Sequence, residues 1–250
     1  VSQQKPLLGE LPDWTRFPKP VALWPFIKAG NLIDLSGNRN TGTFSGNPTW
    51  VAGKYGAGIH FTLATSDYIS VGDKPTLEGF DKITVVVSGM RDSTTRMAIL
   101  SKSNSYLVRF LTGNIELLIY DTAWRVVAYA PEPVNLEQYH YVLTWQAGSA
   151  GKVYKNGTDT TAGGESANTS AVNANPVLIG TFGTDYYQGD MNFTIIFNRV
   201  LSAPQIPYLY HHPWPWFIED EVSHLYVPAP PTVKPYWYYH QMQSIMRRTG

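Results

Sequence analysis

Chemistry in this chain has to come from carboxylates, hydroxyls, imidazoles and aromatic faces, because its 250 residues include no cysteine. Thiolate zinc sites, disulfide frameworks and cysteine nucleophiles are excluded. A retaining glycosidase needs two carboxyl groups about 5 Å apart, a spacing that alternate positions on one strand supply. No such pair is evident. Glu116 is alone in its apolar run, and Glu219, Asp220 and Glu221 are consecutive, so neighbours would face opposite sides of any strand. Gly-x-Ser-x-Gly does not occur, and the Gly-rich segments lack the Lys-Ser/Thr of a phosphate loop. His211 and His212 are adjacent and would diverge by about 100° on a helix, while His60, His140, His224 and His240 are scattered. The expectation is a protein that is not an enzyme and needs no cofactor.

The residues that do suit a ligand are aromatic rings beside polar groups. Trp124-Arg125 and Asp185-Tyr186-Tyr187-Gln188 have that composition. A Trp or Tyr face packs on the C–H surface of a sugar while carboxylates and amides bond its hydroxyls. These six residues are the candidate glycan site. Trp124 and Tyr187 are equally suited to packing in or against a core.

Composition bounds the scaffold that must hold them. Hydrophobic residues make up 43 % and aromatics 14 %, enough for a sizeable core. Gly (21) and Pro (18) are frequent, as in many short strands joined by turns. Lys+Arg and Asp+Glu are both 19, so no net field gathers nucleic acid or an anionic membrane. No run of about 18 apolar residues is available to span a bilayer. The first residues lack a signal-like apolar core, which disfavours secretion.

Alternation gives the elements. Met191, Phe193, Ile195 and Phe197 oppose Asn192, Thr194, Ile196 and Asn198, which predicts a strand with one apolar face. A short helix over 203–211 should follow, with Ser202 as its cap and Pro204 in its first turn. Further strands are predicted at 21–26, 67–71, 82–90, 97–101, 106–111, 115–120, 123–130, 139–145 and 176–181. On 115–120, Ile115, Leu117 and Ile119 oppose Glu116, Leu118 and Tyr120. Asn156-Gly157 between Val153 and Asp159 specifies a type I′ hairpin, whose two central residues need positive φ. Thr112-Gly113-Asn114 reads as another turn. About a dozen short strands at this spacing suit an all-β sandwich.

Several stretches carry a resemblance. They are the closing strand with Asn198-Arg199 and Leu201-Ser202, the loop Asp34-Leu35-Ser36-Gly37-Asn38-Arg39-Asn40, Trp50 to Gly56 followed by Ile59-His60-Phe61, and Asp67-Tyr68-Ile69-Ser70-Val71. Over residues 21–212 the chain resembles laminin G-like, concanavalin A-like jelly rolls, particularly those encoded among tailed-bacteriophage structural genes. The resemblance implies an all-β, two-sheet antiparallel jelly-roll sandwich. It also implies a structural Ca²⁺ site, for which Asp34, Asp190 and Asn192 are the candidates, although Asn192 stands where the family usually has Asp.

Outside that core the style changes. Residues 1–20 are proline-rich, and 213–250 combine proline with Trp214, Trp216, Phe217, Tyr236, Trp237, Tyr238 and Tyr239. Both are expected to be extended arms, with the C-terminal rings docking onto a partner or onto the chain's own sandwich. The resemblance then implies a non-enzymatic virion protein, a capsid decoration or tail component. Its arms would dock on neighbouring virion subunits or on its own copies, and its lectin-like sandwich would be displayed to cell-surface glycans. The alternative is a free-standing carbohydrate-binding module, soluble or secreted and extracellular.

Overall fold

The computed structural model of the protein describes Thr15, residues 17–27, Gly30 and residues 32–217. Tyr236, Trp237, Tyr238 and Tyr239 lie outside the described residues, as does the side chain of Phe217.

The predicted alternation produces strands throughout. In chain order they are β1 (Ala22–Trp24), β2 (Thr43–Ser45), β3 (Thr49–Gly53), β4 (Gly56–Phe61), β5 (Tyr68–Gly72) and β6 (Lys82–Arg91). Then come β7 (Met97–Lys102), β8 (Tyr106–Leu111), β9 (Asn114–Tyr120), β10 (Trp124–Pro131), β11 (Gln138–Gln146) and β12 (Lys152–Lys155). The last are β13 (Thr158–Asp159), β14 (Val177–Ile179), β15 (Thr181–Phe182), β16 (Asp185–Tyr186) and β17 (Gly189–Phe197), followed by α1 (Gln205–His211). Sheet I runs β13-β12-β11-β6-β17-β4-β3, with β1 also paired to β17. Sheet II runs β10-β9-β8-β7-β14-β5-β2, and β15 and β16 form a separate hairpin. All pairings are antiparallel, and the two sheets enclose one core that includes Trp24, Phe61, Val85, Phe110, Leu117, Tyr141 and Ile179. The expected all-β sandwich is what the chain forms.

Asn156 and Gly157 adopt φ of 51° and 83°, and the turn between β12 and β13 has the primed geometry that Asn-Gly specifies. Asp34 closes the loop after β1. Its carboxylate accepts from the amides of Leu23 (2.9 Å), Ser36 (2.8 Å) and Asn40 (3.0 Å) and from the Ser36 hydroxyl (2.8 Å). Ser36, Asn38 and Asn40 all donate to the Val21 carbonyl, so the loop clamps the strand that leads into it.

Two expectations need correction. The alternation on β17 is interrupted. A bulge between Met191 and Phe193 inserts Asn192 into the ladder with β6. Met191 therefore points into the inter-sheet core, while Phe193, Ile195 and Phe197 point to the opposite face of sheet I. That face is buried too, and Ile196, on the inner side, sits in the inter-sheet core.

The helix starts later than the Ser202 cap implies. Its first residue is Gln205, Pro204 occupies the cap position, and no side chain caps it. Gln205 supplies the local closure, its amide donating to the Ser202 carbonyl (2.9 Å) and its Oε1 accepting from the Ser202 amide (2.8 Å).

Of the two surfaces expected for the C-terminal rings, Trp214 and Trp216 meet the chain's own sandwich. Trp214 and Trp216 are 3 % and 1 % exposed, packed with Phe17, Leu201, Ile206 and Leu209 on the outer face of sheet I. The Trp216 indole N–H donates to the Phe17 and Pro18 carbonyls at 3.1 and 3.2 Å, and Trp214 meets Phe193 edge-on at 5.2 Å. The packed unit extends past the expected boundaries at 20 and 213 and includes Phe17 and Trp216.

Candidate functional site

α1 and Trp214–Trp216 cover sheet I, and the candidate ligand face is the outer face of sheet II. Strand alternation decides which residues it shows. On β9, Ile115, Leu117 and Ile119 enter the core, so Glu116, Leu118 and Tyr120 face outward. Register then lines up three rows. Tyr129 of β10 lies opposite Glu116, which lies opposite Arg109 of β8. Val126, Leu118 and Leu107 form the next row, and Trp124 with Tyr120 the third.

The middle row is an apolar floor. Ala98, Leu107 and Leu118 are buried, with Trp124, Val126 and Phe182 half-buried against them. Phe182 comes from the β15–β16 hairpin, which is held over β7 by a bond from the Ser101 hydroxyl to the Thr181 carbonyl (2.7 Å). Trp124 gathers the rings. Its centroid is 5.6 Å from Phe182 and 5.4 Å from Tyr120, both edge-to-face, the favoured geometry for ring quadrupoles.

Ion pairs border the rings. Arg109 Nε donates to Glu116 Oε2 at 2.9 Å, and Arg96 Nε lies 2.8 Å from Asp185 Oδ2. On the other side of β10 from Trp124, Arg125 Nε lies 3.8 Å from Asp121 Oδ1. Backbone amides of Asn168 and Thr122 hold the Asp121 carboxyl well below the usual carboxylate range, and Arg125 adds to this.

Of the six candidate glycan residues, the structure brings Trp124 and Asp185 to this face, with Tyr186 half-buried beside Asp185 on β16; Arg125 alternates with Trp124 and lies opposite Ile119, on the other side of sheet II. Tyr187 does not belong to it. It is fully buried in the inter-sheet core, its hydroxyl 2.7 Å from that of Tyr139, and burial pushes it well above the ordinary phenol range. Gln188 is committed elsewhere, its Oε1 accepting from the Leu63 amide. Sequence reasoning missed Arg96, Arg109, Tyr129 and Phe182, and weighed Glu116 only as a catalytic acid. Alternation on 115–120 already places Glu116 and Tyr120 on one face. Phe182 depends on a hairpin crossing the sheet, which no local pattern announces.

The three calcium candidates do not fit a cation. The Asp34 carboxylate already accepts four donors. Asp190 Oδ1 is 2.7 Å from His60 Nδ1. Asn192 is buried, its Oδ1 accepting from the Lys54 amide and its Nδ2 donating to Gln138. Among the described residues no three His, Cys, Asp or Glu side chains gather as a metal site.

Comparison with known proteins agrees with this architecture. A family model described as the concanavalin A-like lectin/glucanases superfamily, of the laminin G type, matches residues 63–207. That is more than half of the chain, and the protein belongs to this family. Among solved structures, it is similar to domain 4 of an extracellular GH43 arabinanase from Geobacillus stearothermophilus, solved in complex with arabinotriose. The TM-score is 0.63 at 19 % identity, covering 77 % of this chain and 98 % of that domain. It is also similar to the receptor-binding domain of botulinum neurotoxin mosaic serotype C/D, with a TM-score of 0.59 at 16 % identity. The binding domain of Paraclostridial Mosquitocidal Protein 1 gives 0.58 at 14 %. This chain covers 50 % and 52 % of those two domains. Likeness at these identities establishes the fold. No curated protein sequence matches the chain.

Proposed function

We propose that this protein is a non-catalytic carbohydrate-binding module whose sugar site is the outer face of sheet II. The observation that carries it is the gathering of Trp124, Phe182 and Tyr120 over an apolar floor, between the Arg109–Glu116 and Arg96–Asp185 pairs. Rings offer a surface for sugar C–H groups, and the flanking guanidinium and carboxylate groups donate to and accept from hydroxyls. The relatives are consistent with it: the arabinanase domain is seen with arabinotriose, and entry of botulinum neurotoxin type C depends on two ganglioside molecules. Hydrolysis has no support in the geometry. Glu116 is engaged by Arg109, and its outward neighbours on β9 are Leu118 and Tyr120, not carboxylates.

A finer reading places the same sandwich on a phage virion, where residues 217–250 would dock on neighbouring virion subunits. It is favoured by the proline and aromatic composition of that segment and by the sequence resemblance. With Trp214 and Trp216 already packed on their own sheet, its docking rings reduce to Phe217, Tyr236, Trp237, Tyr238 and Tyr239.

The test is a glycan array probed with the full chain and with Trp124→Ala. A retained set of glycans whose binding falls by about tenfold or more in the variant, a loss of about 1.4 kcal/mol, supports the site. Binding that survives unchanged in Trp124→Ala would place the sugar elsewhere, and no binding at all would refute the reading.

A further inference from the structure

Two guanidinium groups border the proposed sugar site, and each has a carboxylate of its own. The side chains of Arg96 and Arg109 are 51 and 19 % exposed, while those of Asp185 and Glu116 are 12 and 9 % exposed. The arrangement repeats in both pairs: the acid lies deeper and the arginine covers it. The positive charge presented to a ligand is therefore cancelled locally, within the length of one ion pair.

An incoming carboxylate or sulfate has two ways to bind here, and both are unfavourable. It can pull an arginine away, which leaves a nearly buried acid without its partner. Or it can share the arginine and meet the repulsion of the acid just beneath it. The chain as a whole does not compensate, since its formal net charge is zero and supplies no steering field for anions. Hydroxyl groups face neither difficulty. The outer N–H groups of a paired guanidinium can donate to a hydroxyl oxygen, and the hydroxyl proton can be given to the carboxylate.

The rows also set a length. Glu116 and Tyr120 are four residues apart on β9, about 13 Å along a strand, with Leu118 between them. A ligand touching both the Arg109–Glu116 pair and the Trp124–Tyr120 pair is longer than a single sugar ring.

We infer that the site selects neutral oligosaccharides and rejects uronate-, sialate- and sulfate-bearing ones; the inference rests on the carbohydrate reading given above. It is tested by titrating the full chain with matched probes: neutral arabino-, gluco- and galacto-oligosaccharides, and the corresponding uronate, sialylated or sulfated forms. Binding of a neutral probe with its acidic counterpart at least tenfold weaker is expected. Asp185→Asn, which uncovers the Arg96 charge on an exposed hairpin, should narrow that ratio several-fold. Glu116→Gln, which uncovers Arg109 with little change of shape, should do the same and serves as the second variant. Wild-type preference for an acidic probe, lost in Trp124→Ala, would overturn this inference and leave the sugar site standing. So would a neutral-to-acidic ratio that neither variant moves. Failure to bind either set would refute the carbohydrate reading itself.

Discussion

His140 sets a pH limit on the covered face of sheet I. It lies on β11 with its ring 5.8 Å from Phe193 and 5.4 Å from Tyr210 of α1, and it is fully buried. Neither ring nitrogen has a hydrogen-bond partner among the described residues. The charged group facing it is Lys54, whose ammonium sits 5.5 Å over the Tyr210 ring and 5.3 Å over Tyr55. Tyr55, pushed up to about 12 by burial, is neutral there and offers no counter-charge. Burial first, and Lys54 second, lower His140 to about 3, against 6.5 in an unfolded chain. Between those two values the unfolded state binds the extra proton, so stability is complete above pH 6.5 and falls as pH drops towards 3. At pH 5 the difference is 1.5 pH units, or about 2 kcal/mol at 1.36 kcal/mol per unit. For a domain of this size that lowers the melting temperature by roughly 4–8 °C. The assay is thermal unfolding at pH 8, 7, 6 and 5 of the wild type and of His140→Phe, which keeps a ring of similar size and cannot titrate. The variant should match the wild type at pH 7 within about 1 kcal/mol and lose the extra decline below it. Every other histidine is the same in the two proteins, so the comparison isolates His140. An equal loss from pH 7 to pH 5 in the two proteins would refute the assignment.

What could be read from the chain, and what could not, divides by distance. Local rules carried the strands: alternation placed β8 at residues 106–111 and β9 within one residue of its observed start, and Asn156-Gly157 fixed its hairpin. The fold class followed from many short strands and from motifs such as the Asp34 loop. Alternation failed where a single residue was inserted. Asn192 looks like any outward polar residue until β6 is paired beside it, and only that pairing reveals the bulge that turns Met191 inward. Which of the arm's two expected surfaces is used stayed open for a related reason. Proline at 213 and 215 shows that the segment is not a sheet strand, yet says nothing of which surface its tryptophans meet. That surface is the second apolar face of sheet I, made by Val86, Val142, Phe193 and Phe197, which shows only when both faces of β6 and β17 are counted. The candidate site was half legible, because Trp124 and Asp185 have the right chemistry but are joined through Phe182 and two arginines from distant strands.

Two further predictions test the scaffold. Trp216→Ala empties the ring that bonds the Phe17 and Pro18 carbonyls, so the urea midpoint should fall by the equivalent of about 3–5 kcal/mol, whereas a free arm would show no change. Asp34 separates a loop clamp from a cation site. If its carboxylate works only by accepting the amides of Leu23, Ser36 and Asn40, chelation of the purified protein leaves its melting temperature unmoved. Asp34→Ala strands those amides in a buried loop, each unmet donor costing about 1–3 kcal/mol. The variant should therefore lose several kcal/mol in denaturant unfolding. Asp34→Asn should lose nearly as much, since its amide nitrogen cannot replace the second accepting oxygen. Stabilisation of the wild type by added Ca²⁺, absent in both variants, would show instead that Asp34 serves a metal and that its hydrogen bonds are secondary.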